Sequence, residues 1–276
     1  MSVEEQALLF TCADCWLVGV LHRPSQPSAR GVLIVTGGPQ YRVGSHRQFV
    51  LLARHLADAG IPVMRFDYRG MGDSEGAMRR FDDVGDDLQA AIQHFFRELP
   101  AMKDVVLWGL CDGATAAAFY APKDDRVSGL VLLNPWVRTE QGLAQATLSH
   151  YYVRRIFEPD FWRKLAGGAV EVRQSVRSLI RLASTARGRL DPDAGLPARL
   201  RRKLCKFHGH VLIILSGADL GAREFSVLAE QHAEWRALLS ALRVRQATIA
   251  NASHTFSRQV WRDEVAALCT DWIKSW

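Results

Sequence analysis

The chain is expected to fold as an α/β protein: a mostly parallel, eight-stranded sheet with helices on both faces. Three observations predict this. Short apolar, β-branched runs such as residues 31–36 (GVLIVT) have the composition of strands buried on both faces. Stretches with helical apolar spacing alternate with them along the chain, as crossover connections between parallel strands require. With 276 residues, 48% of them hydrophobic, there is enough apolar surface for one sizeable core.

Residues 6–11 and 15–22 alternate as two antiparallel strands around a turn. Residues 23–30 form a Pro/Ser-rich connection to the buried strand 31–36. A helix over 47–59 places Phe49, Val50, Leu52, Ala53 and Leu56 at helical spacing, and Gly60 ends it. Strand 61–66, a Gly-rich loop over 67–76 and a helix over 81–97 follow. Asp82, Asp83, Asp86 and Asp87 suit the positive end of that helix. Strand 105–108, helix 112–120 and strand 127–133 complete the first part. After an insertion come strand 210–215, helix 226–242, strand 244–249 and a closing helix over 259–274.

The strand 105–108 runs into Gly109-Leu110-Cys111-Asp112-Gly113 and then a helix of small residues. This is the G-x-S-x-G nucleophile elbow with Cys in place of Ser. A strained strand-to-helix turn demands almost no side chain two residues to either side, hence Gly109 and Gly113. The helix start offers N–H groups and a positive dipole end to a developing anion. Alone, G-x-C-x-G fits a packing cysteine equally well. The context carries the catalytic reading. Asp219 ends the strand 210–215 through Ser216-Gly217-Ala218, and His254 follows the strand 244–249. Nucleophile, acid and histidine thus occur in the order this elbow requires, each at the carboxyl end of a strand, where open α/β sheets bind ligands. Singly, Asp219 reads as well as a helix N-cap and His254 as a surface residue. Together they read as a Cys111–His254–Asp219 triad. The backbone N–H groups of Gly38 and Asp112 are the expected oxyanion donors, since Pro39 has none to give. Asp112 itself would oppose formation of a thiolate at Cys111, unless it points away or binds a polar part of the substrate.

Gly37-Gly38-Pro39, the run Asp67-Tyr68-Arg69-Gly70-Met71-Gly72-Asp73-Ser74, the elbow, Asp219 and His254 together resemble the α/β-hydrolase superfamily. The Cys nucleophile is similar to that of dienelactone hydrolases. The run Gly109-Leu110-Cys111-Asp112-Gly113-Ala114, with Ser216-Gly217-Ala218-Asp219 and a basic insertion, more closely resembles the exosortase A system-associated hydrolase 1 family. That resemblance implies a link to bacterial exopolysaccharide and protein-sorting systems. It also implies an α/β-hydrolase core over residues 1–136 and 208–276, with a helical cap over 137–207.

Net charge is +6, but residues 138–206 hold fifteen Lys or Arg against six Asp or Glu, a net of +9. The remainder is slightly acidic. The insertion therefore reads as a basic cap with helical runs at 145–156 and 170–183. Its charge is either a solvated face or a surface for an anionic substrate, anionic lipid headgroup or acidic polysaccharide. The test cluster is Arg199, Arg201, Arg202 and Lys203. No nucleic-acid-binding motif is present. The five cysteines, irregularly spaced, suit reduced thiols in the cytoplasm better than a disulfide framework, and Cys12-x-x-Cys15 fits a hairpin turn. No metal, cofactor, signal peptide or spanning segment is expected. The chemistry to be tested is acyl-cysteine hydrolysis of an ester, thioester or lactone. Acyl transfer to a sugar or lipid alcohol at the same site and a silent binding role are the alternatives.

Overall fold

The computed structural model describes residues 3–38, 40–137 and 195–276. Eight strands form one sheet: β1 (Val3–Cys12), β2 (Cys15–Pro24), β3 (Arg30–Val35), β4 (Val63–Phe66), β5 (Asp104–Leu110), β6 (Val127–Leu133), β7 (His210–Ser216) and β8 (Val244–Ile249). Their spatial order is β1-β2-β4-β3-β5-β6-β7-β8. β1 and β2 form a hairpin added antiparallel to β4, and every later pairing is parallel. The hairpin turns on Ala13 and Asp14, both at positive φ, as a two-residue loop between right-twisted strands requires. Cys12 and Cys15 face each other across that turn as free thiols.

The described helices are α1 (Gln48–Asp58), α2 (Gly85–Glu98), α3 (Asp112–Tyr120), α4 (Gly195–Lys206), α5 (Leu220–Gln231), α6 (Ala233–Leu239) and α7 (Gln259–Lys274). Alternate residues of each central strand feed opposite faces of the sheet. Leu33, Val105, Leu107, Leu130 and Ile213 join one core, which includes residues of α2 to α6. Val32, Ile34, Val106, Trp108 and Leu212 join the other, under α1 and α7.

Two expected helices differ from the structure. The helix over 81–97 is a short 3-10 turn, Phe81–Asp83, followed by α2. The helix over 226–242 starts earlier and is split into α5 and α6, because His232 between them is extended (φ −114°, ψ 123°). The break lets Trp235 pack edge-on against Phe225, ring centroids 5.5 Å apart.

The helical runs expected at 145–156 and 170–183 lie outside the described residues. The described end of the insertion is α4. Its Leu200 and Leu204, with Phe207 just beyond, are buried in the same core as α2 and α3. Arg199, Arg201, Arg202 and Lys203 all lie on this helix. Arg199 pairs with Asp82 at 3.2 Å and lies over the Phe119 ring. Among the described residues no helix is long and apolar enough to cross a membrane.

Candidate active site

β5 ends in a turn that only this sequence pattern accommodates. Cys111 has φ 60° and ψ −124°, backbone that a non-glycine residue adopts only when its surroundings enforce it. The enforcement is visible on both sides. The Cys111 N–H donates to the Leu133 carbonyl (2.8 Å), and its own carbonyl accepts from Ala114 (3.1 Å), Thr115 (3.2 Å) and Trp136 (3.2 Å). A Cβ on Gly109 would come within 2.5 Å of the Gly113 backbone, and one on Gly113 within 2.7 Å of the Val35 carbonyl. The two glycines of the motif are therefore steric necessities of the elbow.

Asp219 stands just beyond β7 and caps α5, its Oδ2 accepting the Ala222 N–H at 2.8 Å. The same oxygen lies 3.0 Å from Nδ1 of His254. The cap and the histidine partner, alternatives in the sequence, are one carboxylate serving both. On its other side the ring shares a cleft with Cys111, and Nε2 is the nitrogen that Asp219 leaves free. The three residues are thus brought together at one sheet edge. The Asp219 bond, then the Cys111 bond, push the His254 pKa up to about 10 against the opposing effect of burial, so the ring is an imidazolium at neutral pH. Burial alone would raise the Asp219 carboxyl; the His254 bond and charge and the helix-cap N–H groups hold it below its ordinary value.

The expected oxyanion donors are also adjacent, but they converge on a side chain. The half-buried Asp112 carboxylate accepts the Gly38 N–H (2.8 Å) and the Gly113 N–H (3.1 Å). Its own backbone N–H also acts on the carboxylate's charge. Burial raises the Asp112 pKa, and these three N–H groups oppose that rise.

Asn134 is a residue that the sequence reading missed. It is buried at the end of β6, with positive φ. Its side-chain amide donates to Ser216 Oγ and to the His254 carbonyl (3.0 Å), and its Oδ1 accepts the Ser216 N–H (2.8 Å). It ties the ends of β6 and β7 to the histidine loop. The available signal was Leu133-Asn134-Pro135, a polar residue where a buried strand meets a proline. Glu224, also unremarked in the sequence, is buried along the cleft that Cys111, His254, Trp136, Val137 and Leu220 line.

The Asp67–Ser74 run shapes the neighbouring loop. Arg69 makes a two-pronged pair with Asp87 (2.9 Å on each prong), and Asp67 accepts from the Arg42 side chain and the Asp73 N–H. A Cβ on Gly72 would fall 2.2 Å from the Asp67 carboxylate, so the glycine is required there. No metal-holding group of His, Cys, Asp or Glu occurs among the described residues.

The sheet, its strand order and the elbow define an α/β hydrolase. The chain belongs to the family described as serine aminopeptidase, S33, which matches residues 27–167. An esterase of Pyrococcus furiosus superposes with a TM-score of 0.68 at 16% identity, over 99% of this chain and 92% of that one. A dienelactone hydrolase from Anabaena variabilis does so with 0.63 at 17% identity, over 99% and 98%. A polyketide transferase of a Penicillium species is 32% identical over 92 residues, 31% of each chain. The match therefore spans less than a third of that relative's length.

Proposed function

We propose that this protein is a cysteine-dependent acyl hydrolase acting on an ester, thioester or lactone. The observation that carries the reading is His254, paired through Nδ1 with Asp219 at 3.0 Å in the same cleft that Cys111 lines. In this mechanism the Cys111 proton passes to Nε2 of His254, before or during attack. The thiolate adds to the carbonyl carbon, and the oxygen gains the negative charge. Collapse expels the alcohol or thiol, which takes the Nε2 proton of His254. Water then attacks the acyl-cysteine, giving one proton to the neutral ring. The acid leaves, and Cys111 and His254 return to their starting state. Asp219 orients the ring and stabilises its charged form throughout.

The test is intact-mass detection of an acyl adduct, with a burst on an activated p-nitrophenyl ester. Cys111→Ala must abolish both, and Cys111→Ser should be much weaker than the wild-type enzyme. Turnover at the wild-type rate in Cys111→Ala would make Cys111 a packing residue and end the proposal. Selective labelling of Cys111 by iodoacetamide argues against a silent binding role.

A second reading, acyl transfer to a sugar or lipid alcohol, is favoured by the partial similarity to a polyketide transferase. The Cys111 motif, Ser216-Gly217-Ala218-Asp219 and the basic insertion support placing the protein in a cytoplasmic step of bacterial exopolysaccharide or exosortase systems. Within that proposal, residues 137–207 are the cap, and its basic residues meet an anionic substrate or a membrane surface. An adduct captured from native lysate on His254→Ala would identify the acyl group, and its mass decides between a lipid, a saccharide and neither.

A further inference from the structure

We propose that the Asp112 carboxylate is a resident occupant of the oxyanion hole, a gate that an incoming carbonyl oxygen displaces before Cys111 is acylated. The proposal deepens the acyl-cysteine reading and rests on it. Three observations converge. The Gly38 N–H, one of the two oxyanion donors that the sequence marks, is bonded to this carboxylate at 2.8 Å, and the Asp112 N–H, the other, belongs to the same residue. The Gly113 N–H adds a second bond at 3.1 Å. The seat itself is cut to fit: a Cβ on Gly37 would fall 2.3 Å from Asp112 Oδ1, so the carboxylate fills space that any other residue at 37 would claim.

An acid in the first turn of a helix ordinarily faces solvent and gains from the dipole alone. Here the side chain reaches back across 74 positions of sequence to Gly38 and is half-buried. Its Oδ2 lies 2.8 Å from the Gly38 nitrogen, within the donor distance that an oxyanion needs. Two consequences follow. A carbonyl oxygen and the carboxylate compete for the same donors, so acylation requires Asp112 to rotate about its side-chain bonds into the cleft. A negative charge also sits one residue from the thiol, which disfavours anionic electrophiles at Cys111 and selects a neutral acyl end. Anionic groups on the substrate then belong away from the reacting carbonyl.

The hole is made of backbone N–H groups, so changing the side chain at 112 empties it without removing a donor. Asp112→Ala removes both plug and charge. Asp112→Asn removes the charge but leaves an amide oxygen able to accept from Gly38. Two rates are read at Cys111: the acylation burst with p-nitrophenyl acetate, and alkylation by iodoacetate relative to iodoacetamide. Thermal unfolding confirms that each variant is folded. The expected result is a burst faster by on the order of ten-fold in Asp112→Ala, with a smaller gain in Asp112→Asn. The iodoacetate-to-iodoacetamide ratio should rise severalfold in both. A folded Asp112→Ala that acylates no faster than the wild-type protein overturns the gate. If no variant forms an acyl-cysteine, the acyl-cysteine reading itself fails. The alkylation ratio then decides on Asp112: an unmoved ratio overturns its placement beside the thiol, and a raised one upholds it.

Discussion

Two ion pairs stand past the carboxyl ends of the strands, and they differ in what they leave free. Arg69 and Asp87 are 6% and 0% exposed in their side chains, joined by two 2.9 Å bonds and a third from the Arg69 N–H. His254 and Asp219 are 38% and 12% exposed and share one 3.0 Å contact. The first pair spends nearly all its hydrogen-bonding capacity internally and fixes the loop after β4. The second keeps one edge of its ring for Cys111. A buried, saturated pair positions the surrounding chain. A half-open pair whose second donor meets a sulfur can move a proton.

The sharpest way to break this comparison is to remove the sulfur. Cys111→Ala is expected to lower acyl turnover about 10⁴-fold or more, with little change in melting temperature, read by burst kinetics and calorimetry. Next comes Asp219. Asn is as good a helix cap as Asp, so Asp219→Asn should keep α5 intact and still lose about 10³–10⁴ in rate. Asp219→Ala should lose the same rate and a further ~1 kcal/mol of stability. Equal stability for the two variants would show that the cap bond contributes nothing.

For the buried pair the expectation is reversed. Arg69→Ala should cost about 3–5 kcal/mol in urea unfolding by stranding Asp87. The double variant Arg69→Met with Asp87→Leu should recover most of it. A large rate loss at full stability would instead assign Arg69 to the site.

The open pair should show in the pH dependence of stability. The His254 pKa is raised by folding, so its contribution is fully present below about 6.5 and is lost as pH rises through about 10. The Asp219 pKa is lowered, so its contribution is present above 3.8 and lost as pH falls below that. Wild-type stability relative to His254→Ala should therefore be greatest between those limits and shrink on the alkaline side. The smallest effect belongs to a surface pair: Arg199→Ala, which leaves Asp82 with Arg80 as its partner, should cost ~0.2–1 kcal/mol and less in high salt.

The order of strands and helices was legible because each element announces itself locally. Residues 127–133 and 259–274 have the bounds read from periodicity and turn residues. The elbow was legible for a similar reason, since crowding within five residues dictates Gly109, although the Val35 carbonyl from a distant strand dictates Gly113. Strand ends and their order along the chain marked Asp219 and His254. What tertiary structure alone decided lies in contacts between distant segments. The split between α5 and α6, at the extended His232, accompanies the packing of Trp235 on Phe225. The clamp at Asn134 depends on Ser216 and His254, which are 82 and 120 positions away. The direction of Asp112 depends on an N–H group at Gly38 and on the space beside Gly37. Periodicity encodes which face of an element is apolar, but a polar side chain takes the rotamer that satisfies its hydrogen bonds, and those partners exist only once the chain has folded.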